Sequence, residues 1–303
     1  MFDIVGIGNA VVDRTVYYDT NKAHSMDIYQ QKGRYFSTTS TEYEQLQHLY
    51  EYNWSICAGG SVANSIRTLS TLGFNTAFLG KIGLDEEGKF FENSLIDTGV
   101  HSFLAKSKIY STGSCMIFVH EDKERTICGK AGASKTLSEE DIPEEFFNTK
   151  ALFFELYNLK SCLNLSFEHI KKAKQKNCCI FLTLSDSQMI YQLKDSLPGI
   201  IPLVDVLFGN EYEFKALEEL KIMLPLLCFK TKGAQGSAVL KNGIWTDCAT
   251  LKCKKIINTN GAGDAYAAGV IAGLLRKKNL TECLKFGHNI SCQVLGRMEP
   301  YLA

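Results

Sequence analysis

Residues 258–264 have the sequence NTNGAGD, and a run of small residues, AYAAGVI, follows directly. A glycine-rich turn that opens into a helix presents unpartnered backbone N–H groups and the positive end of the helix dipole to an anion. The segment therefore predicts an anion site built from the backbone of Gly261, Ala262 and Gly263. Asp264 adds a carboxylate that can accept the proton of an attacking hydroxyl. Taken alone, the segment is equally compatible with a tight turn followed by an acidic residue that favours the first helical turn.

The chain around this segment alternates short apolar runs with helical patterns. Apolar runs predict strands at 4–8, 76–80, 151–154, 178–183, 204–208, 228–231 and 237–240. Apolar residues at helical spacing predict helices at 42–53, 59–72 and 85–95. Such alternation implies a mostly parallel sheet covered by helices on both faces, so we expect an α/β fold arranged as a three-layer α/β/α sandwich. Ligands bind such sheets at the carboxyl ends of the strands.

Two segments interrupt this alternation. Within residues 14–40 and 103–130, short strands are predicted at 114–120 and 125–128. We expect the two segments to form a small β-sheet lid near the carboxyl edge of the main sheet. The remaining ranges would form the α/β domain that binds nucleotide and substrate, namely 1–13, 41–102 and 131–303.

The composition excludes several classes of protein. Lys plus Arg and Asp plus Glu each number 33, and this balance argues against a nucleic-acid binder, though not against a small phosphorylated ligand. No stretch approaches the roughly 18 apolar residues of a membrane span, and the N-terminus lacks the features of a secretory signal. The 11 cysteines include no C-x-x-C pair, so we expect them to be reduced and mostly buried. A cytoplasmic protein without a membrane partner is predicted.

Further motifs precede NTNGAGD in the chain. They are GGSVAN at 59–64, GKIGLDEEG at 80–88, NEYE at 210–213 and TKGAQG at 231–236. With these motifs the chain resembles the ribokinase-like, or PfkB, carbohydrate and nucleoside kinases, and Asp13 after the first strand extends the resemblance to the N-terminus. The carboxyl-terminal signature of that family is D-T-x-G-A-G-D, so the chain departs from it at Asn258.

The resemblance implies a phosphotransferase that moves the γ-phosphoryl group of ATP to a primary hydroxyl. Asp264 would be the catalytic base, and Gly261, Ala262 and Gly263 would form the anion hole. The phosphoryl acceptor would contact Asp13, Gly59, Gly60 and Asn64, and the nucleotide would contact Asn210, Thr231, Gly233, Gly236 and Thr259.

The same residue types have physical roles of their own and also plainer interpretations. The Asp13 carboxylate can accept two hydroxyl hydrogen bonds, as a sugar or ribose would offer, or it can be a solvated turn residue. Glu213 near a polyphosphate would act on Mg²⁺ through water, because that ion dehydrates reluctantly, or it can be an exposed residue of a first helical turn. A monovalent cation such as K⁺ is a further expected cofactor, and we expect a monomer or a lid-mediated homodimer. Arg125 of the lid could reach a phosphate or be a surface charge.

The identity of the acceptor stays open between two classes. The segments GNAVVD at 8–13 and LTLSD at 182–186 resemble the adenosine-kinase type, so adenosine or a related nucleoside is favoured over a sugar such as ribose or fructose. A purine needs flat apolar surface, for which five aromatic residues are available: Tyr17, Tyr18, Phe36, Phe118 and Phe154. A phosphorylated sugar would need extra cations, for which Lys81 and Arg67 are the nearest candidates.

Two functions other than a kinase are suggested by parts of the sequence. A non-catalytic nucleoside or sugar sensor would retain the fold and carry Asn258 as its mark, but the intact Asp264 and Glu213 count against it. An NAD-dependent oxidoreductase is suggested by GIG at 6–8, but Val11 occupies the position of the third glycine of that fingerprint.

Overall fold

The strands form largely where apolar runs predict them. A computed structural model describes residues 1–17, 35–37, 43–45, 48, 54–120, 125–161 and 163–303. In chain order its strands are β1 (Ile4–Ile7), β2 (Val11–Tyr17), β3 (Tyr35–Ser37), β4 (Ser55–Ala58), β5 (Thr76–Gly83), β6 (His101–Ser107), β7 (Gly113–Val119), β8 (Arg125–Lys130), β9 (Ala151–Glu155), β10 (Cys179–Thr183), β11 (Val206–Asn210), β12 (Leu227–Thr231), β13 (Ser237–Lys241) and β14 (Ile244–Cys248).

The helices follow the glycine and capping signals of the sequence. They are α1 (Ser61–Thr71), α2 (Glu86–Asp97), α3 (Leu156–Ser161), α4 (Leu163–Gln175), α5 (Ser187–Gln192), α6 (Leu197–Ile200), α7 (Glu211–Glu219), α8 (Ala262–Leu275) and α9 (Leu280–Leu295). The Asp85 side chain caps α2 by accepting from the Gly88 N–H at 2.8 Å. Of the helix predicted at 42–53, residues 43–45 and 48 are helical, and the others lie outside the described residues.

The large sheet has the order β14-β13-β12-β11-β10-β9-β1-β5-β6 within the described residues. Its neighbours from β6 to β12 pair in parallel, and β13 and β14 add an antiparallel edge. Successive side chains of the strands point to opposite faces. Val5 of β1 therefore joins a core that contains Ile170 and Leu217, whereas Ile4 joins a second core that contains Ile66 and Ile271. The predicted three-layer α/β/α arrangement is confirmed.

A second, smaller sheet has the order β3-β8-β7-β2-β4 within the described residues. Its extent differs from the ranges 14–40 and 103–130, because β2 already enters it at Val11 and β4 belongs to it as well. β6 instead pairs in parallel with β5 as the edge strand of the large sheet. The alternating sequence HSFLAKS of β6 is equally typical of a hairpin strand and of a half-covered edge strand, so local pattern alone could not assign it.

The cysteines differ from expectation at one place. Cys253 and Cys292 form a disulfide across 39 residues of sequence, so the prediction of uniformly reduced cysteines is wrong for this pair. Eight other cysteines in the described part of the chain are free, and four of those are buried. None of the helices in the described ranges combines the length and apolarity of a membrane span.

Candidate active site

The turn before α8 has the geometry expected of an anion site. Gly261 caps the helix in the left-handed region with φ of 74°, a conformation that L side chains rarely adopt. A Cβ at this position would also collide with the Pro300 carbonyl oxygen. Beside Gly263, by contrast, the space where a Cβ would lie is open. The first backbone N–H groups of α8 have no partner inside the helix, and the Ala262 N–H makes a long contact of 3.5 Å to the Thr259 carbonyl oxygen outside it.

Asp264 lies in the first turn of α8 and is fixed by the first turn of α1. Its Oδ1 accepts a hydrogen bond from Ser61 Oγ at 2.6 Å, and its Oδ2 accepts one from Asn64 Nδ2 at 2.9 Å. Ser65 Oγ donates to the Asp264 carbonyl oxygen at 2.9 Å, which joins the two helices at the same point. Burial raises the pKa of Asp264 to about 6, against the opposing effect of the hydrogen bonds from Ser61 and Asn64. At neutral pH the carboxylate is ionised and close to its titration range, as a general base requires.

Asp13 lies on β2, across the site from α8, and is 6% exposed. Its Oδ2 accepts a hydrogen bond from Asn260 Nδ2 at 3.2 Å. Burial raises the pKa of Asp13 to about 7, the negative charge of Asp264 acts in the same direction, and the Asn260 hydrogen bond opposes both. A buried carboxylate with one protein donor retains acceptor capacity for hydroxyl groups.

A cavity of about 160 Å³ opens beside Asp13, and we call it the acceptor cavity. Of the four residues predicted to bind the acceptor, Asp13 and Gly60 line it. Gly60 has φ of 87°, and a Cβ there would fall against the Asn9 carbonyl oxygen. Gly59 and Asn64 are not part of the lining, and Asn64 holds Asp264 instead. Other parts of the wall come from the lid sheet and from residues that the sequence argument did not single out: Asn9, Val11, Ser61, Cys115, Ile117, Ile127, Lys130, Ala131, Glu155, Tyr157 and Asn260.

Glu155, at the end of β9, is the most consequential of these. It is 1% exposed, and its carboxylate accepts backbone N–H groups of Asn9 at 2.8 Å and Val62 at 3.1 Å. Burial raises its pKa to about 7, and those two hydrogen bonds oppose the rise. Glu155 thus ties the end of β1 to the start of α1. The available signal was a lone acidic residue that ends the apolar run ALFF at the carboxyl edge of the sheet.

The two cations proposed for a second phosphate are engaged elsewhere. Arg67 is fully buried and packs between the rings of Phe91 and Tyr301, each 4.7 Å from its guanidinium carbon. Lys81 donates to Asp141 Oδ2 at 2.7 Å and to the Thr136 carbonyl oxygen at 3.1 Å. Both cations therefore support the fold at these positions.

Three of the five aromatic residues proposed for a purine surface do not line the acceptor cavity. Phe118 and Phe154 are fully buried, and Tyr17 is exposed. Tyr18 and the Phe36 side chain lie outside the described residues. Apolar surface at the acceptor cavity comes instead from Val11, Ile117 and Ile127.

A second cavity of about 690 Å³ is lined by residues of the anion turn, and we call it the nucleotide cavity after the residues expected to bind nucleotide. Four of the predicted nucleotide-binding residues line it: Thr231, Gly233, Gly236 and Thr259. Ala262 and Gly263 of the anion turn line it too. The opposite wall comes from α9 and from the segment that precedes the turn. The cavity therefore runs from the anion turn to a mainly apolar wall.

Asn210 and Glu213 stand apart from that cavity and cap α7. Asn210 Oδ1 accepts from the Glu213 N–H at 2.9 Å, and Glu213 Oε2 accepts from the Asn210 N–H at 2.8 Å. Glu213 Oε1 accepts from Asn210 Nδ2 at 2.8 Å. Burial raises the pKa of Glu213 to about 7, the Asn210 N–H opposes this, and the charges of Asp186 and Asp264 add to it. Within the described ranges no group of three or more His, Cys, Asp or Glu residues could hold a metal ion.

The smaller sheet also reaches the anion turn from β8, in addition to the contact between Asp13 of β2 and Asn260. Arg125 Nη2, on β8, donates a hydrogen bond to Thr259 Oγ1. The positive charge of Arg125 also helps to stabilise the ionised form of Asp13 and so acts to lower the pKa of that carboxyl. The lid cation, the acceptor carboxylate and the anion turn are therefore neighbours.

Comparison with known proteins shows the family to which the chain belongs. The model for pfkB family carbohydrate kinases matches residues 34–302. The chain belongs to the pfkB family. It is therefore a phosphotransferase that acts on a hydroxyl group, and ATP with Mg²⁺ is the general phosphoryl donor of pfkB kinases.

Individual relatives align with most or almost all of the chain. Adenosine kinase 2 of Arabidopsis thaliana is 25% identical over 97% of this chain and 94% of the relative. A ribokinase of Haemophilus influenzae is 26% identical over 78% of this chain and 80% of its own. The crystal structure of adenosine kinase from Sinorhizobium meliloti superposes with a TM-score of 0.88 at 27% identity, covering 99% of this chain and 96% of that one. The adenosine-kinase type of pfkB protein, expected from residues 8–13 and 182–186, is thereby confirmed as the branch that this chain resembles.

Proposed function

We propose that the protein is an ATP-dependent nucleoside kinase that phosphorylates a primary hydroxyl of adenosine or a closely related nucleoside. One observation carries the proposal: Asp264 is connected to both cavities through its immediate neighbours. Its donor Ser61 lines the acceptor cavity, and its chain neighbour Gly263 lines the nucleotide cavity. A base in that position can take the proton of a hydroxyl as the hydroxyl attacks the γ-phosphorus in line.

The remaining side chains support this reaction. Asp13, with Gly60, would hold the ribose hydroxyls, and the backbone N–H groups of Gly261, Ala262 and Gly263 would stabilise charge on the transferring group. Arg125 would bring a further positive charge to the phosphates from the lid. Closure of the lid sheet would exclude water, which otherwise competes as the acceptor.

The carboxylates fit Mg²⁺ that is held mainly by the nucleotide. Mg²⁺ in such sites keeps several waters and needs one or two protein carboxylates. Each Glu213 oxygen accepts a hydrogen bond from Asn210 and retains a lone pair toward water. We propose that Glu213 acts on a Mg²⁺-bound water and that Thr231, Gly233, Gly236 and Thr259 form the nucleotide side. Asn210, which does not line that cavity, would act by holding Glu213. When bound, the ion would neutralise charge on the phosphate oxygens.

A free sugar is the second candidate acceptor, and the size of the acceptor cavity favours it. About 160 Å³ is below the roughly 300 Å³ at which pockets for drug-sized ligands begin. A ribose or fructose fits such a volume with the lid as observed, whereas a nucleoside requires the lid to move outward. Against this, Val11, Ile117 and Ile127 offer an apolar surface that suits a purine better than a polyhydroxylated sugar.

An acceptor panel tests the proposal. ADP release would be measured with Mg·ATP and adenosine, guanosine, inosine, ribose or fructose, each with an acceptor-free control. We expect kcat/KM to be at least tenfold higher for adenosine than for ribose and fructose, because only the nucleoside reaches the apolar wall. A preference for a sugar would overturn the choice of acceptor. Thermal stabilisation by these ligands without acceptor-dependent ADP would favour the non-catalytic sensor.

We also propose that the protein works in the cytoplasm. Eight free cysteines among the described residues support a reducing compartment. The Cys253–Cys292 disulfide then requires an explanation of its own.

A further inference from the structure

The Cys253–Cys292 disulfide lies in the wall of the nucleotide cavity. Cys292 belongs to α9, and Cys253 belongs to the irregular segment 249–261 that leads from β14 to the anion turn. Both half-cystines line the cavity, together with Leu251, Lys252 and Ile256 of the same segment. Both are also partly exposed, so a small dithiol in solution can reach them. The bond therefore combines access from solvent with direct contact to the space proposed for the nucleotide.

The segment has few other attachments between its ends. At one end Cys248 pairs with Ser237 in the sheet, and at the other the Ile257 N–H donates to the Leu295 carbonyl oxygen at 2.7 Å. Between these anchors, residues 251–256 contribute no backbone–backbone hydrogen bond to the described structure. Leu251 and Ile256 are 44% and 62% exposed, so apolar burial adds little. The disulfide is thus the main constraint on the part of the segment that faces the cavity.

We propose that Cys253 and Cys292 form a redox-modifiable site, at which a dithiol reductant opens the disulfide and thereby weakens nucleotide binding. The inference rests on the proposed function, because it takes the larger cavity as the nucleotide site. In the reaction, a thiolate of the reductant attacks one sulfur of the disulfide, and its second thiol resolves the mixed disulfide. The protein gains two electrons and two protons as two cysteine thiols, and the reductant leaves as its own disulfide.

Opening the disulfide should lower nucleotide affinity, because the segment must then be ordered when the nucleotide binds. With the bond intact, the cavity-facing part of the segment is held in place before the nucleotide arrives. With the bond open, binding must also order the segment and its side chains, each at a cost in free energy. Several such side chains correspond to about a fivefold to tenfold loss of nucleotide affinity. The acceptor cavity has no lining residue in common with the segment 249–256, so acceptor binding should change less than twofold.

The test measures nucleotide binding directly. The dissociation constant of Mg·AMP-PNP, a non-hydrolysable ATP analogue, would be determined by calorimetry for air-oxidised protein and for protein reduced with dithiothreitol. Peptide mapping without reduction would establish the state of the bond in each sample. We expect the dissociation constant to rise about fivefold to tenfold on reduction. The variant carrying Cys253→Ser and Cys292→Ser should match the reduced protein and no longer respond to dithiothreitol.

The matched control is Cys248→Ser, which removes a free thiol just before the segment and should respond to dithiothreitol like the wild type. Equal affinities for mapped oxidised and reduced wild type would overturn the inference, as would mapping that finds the two thiols unpaired in the air-oxidised protein. The wild-type comparison needs no substitution, so a folding defect in a variant cannot obscure it. No nucleotide binding in either redox state would instead contradict the proposed function.

Discussion

The acceptor cavity and the nucleotide cavity are both connected to Asp264, the first through Ser61 and the second through Gly263, but their walls are of different kinds. Around the acceptor cavity, buried side chains determine the geometry: Asp13 and Glu155 are at most 6% exposed and accept hydrogen bonds from Asn260, Asn9 and Val62. Around the nucleotide cavity, glycine-rich turns and an exposed segment form much of the wall. The wall of the acceptor cavity is a network of buried polar side chains, whereas the wall of the nucleotide cavity depends on the main chain and on a disulfide.

This difference between the two cavities indicates where substitutions should lower activity most. Carboxylates that are buried and close to one another ionise with difficulty, so each hydroxyl hydrogen bond that a substrate offers them has a large effect. Main-chain N–H groups survive side-chain substitution, so the nucleotide side should tolerate most single changes. We therefore expect the largest losses of activity from the side chains that face the acceptor.

Asp264→Asn should have the largest effect. The amide keeps the size of the carboxylate and can still accept from Ser61, but it cannot take up the hydroxyl proton. We expect kcat to fall about 100-fold or more, the usual scale for a lost general base. Steady-state ADP release would measure kcat, and AMP-PNP calorimetry should show a nucleotide dissociation constant within about threefold of wild type.

Asp97→Asn is the matched control for this change, because it removes an exposed carboxylate at the end of α2. It should leave kcat unchanged. Near-normal turnover in Asp264→Asn would remove Asp264 from the role of base, and an equal loss in both variants would point to a general charge effect.

The pH dependence of kcat/KM should report the ionisation of Asp13 and Asp264. Burial raises the pKa of Asp13 to about 7 and that of Asp264 to about 6, so the ionised forms needed for binding and proton transfer are lost below those values. We expect kcat/KM for the acceptor to rise about 100-fold per pH unit well below pH 6, where both carboxyls must lose a proton, about tenfold per unit between pH 6 and 7, and to level off above about pH 7.5. The pair titrates together, so the two apparent values belong to both residues.

Asp13→Asn provides the matched profile. Its plateau should be about tenfold lower or more, since a hydrogen bond to a charged acceptor is lost. Its acid limb should move to lower pH, because the carboxyl with a pKa of about 7 is gone and the limb then follows Asp264, whose pKa is about 6. Profiles of kcat/KM from pH 5 to 8.5 at saturating Mg·ATP would measure both. A flat profile for the wild type would contradict ionisation of these carboxyls as a requirement.

The sequence predicts the residues of the anion turn more completely than those that line the acceptor cavity. The turn is local: Gly261, Gly263 and Asp264 are adjacent in the chain, so their spacing carries their geometry. The acceptor wall joins residues of β2, β7, β8 and β9, and Glu155 enters it as a single acidic residue with no motif around it. Asn64 was expected to contact the acceptor, whereas its amide donates to Asp264, a direction that depends on how α1 packs against α8.

The fold shows the same limit. Apolar runs predicted most strands of the large sheet, because buried parallel strands are continuous in apolarity. The edge strands β6 and β14 were not assigned to that sheet, since a half-covered strand carries polar residues that resemble a turn or a hairpin. The Cys253–Cys292 disulfide was out of reach because the two cysteines lie 39 residues apart without a spacing signal.

Asn258→Asp should have the smallest effect, although it restores the family signature. In this chain the Asn258 amide is used at both ends: Oδ1 accepts from the Asn260 N–H at 2.9 Å, and Nδ2 donates to the Met298 carbonyl oxygen at 2.9 Å. A carboxylate keeps the first bond and loses the second, so we expect a loss of about 1 kcal/mol in the free energy of unfolding, or roughly 3 °C in Tm. Because both polar atoms of the Asn258 side chain already hold the turn, the Mg²⁺ concentration for half-maximal activity should change less than about threefold. Thermal unfolding and Mg²⁺ titration of kcat would measure the two effects, with Asn279→Asp, an exposed helix cap, as the control for the added charge. A tenfold drop in the Mg²⁺ requirement of Asn258→Asp alone would show that charge at this position organises the metal, and the loop-holding role would then be secondary.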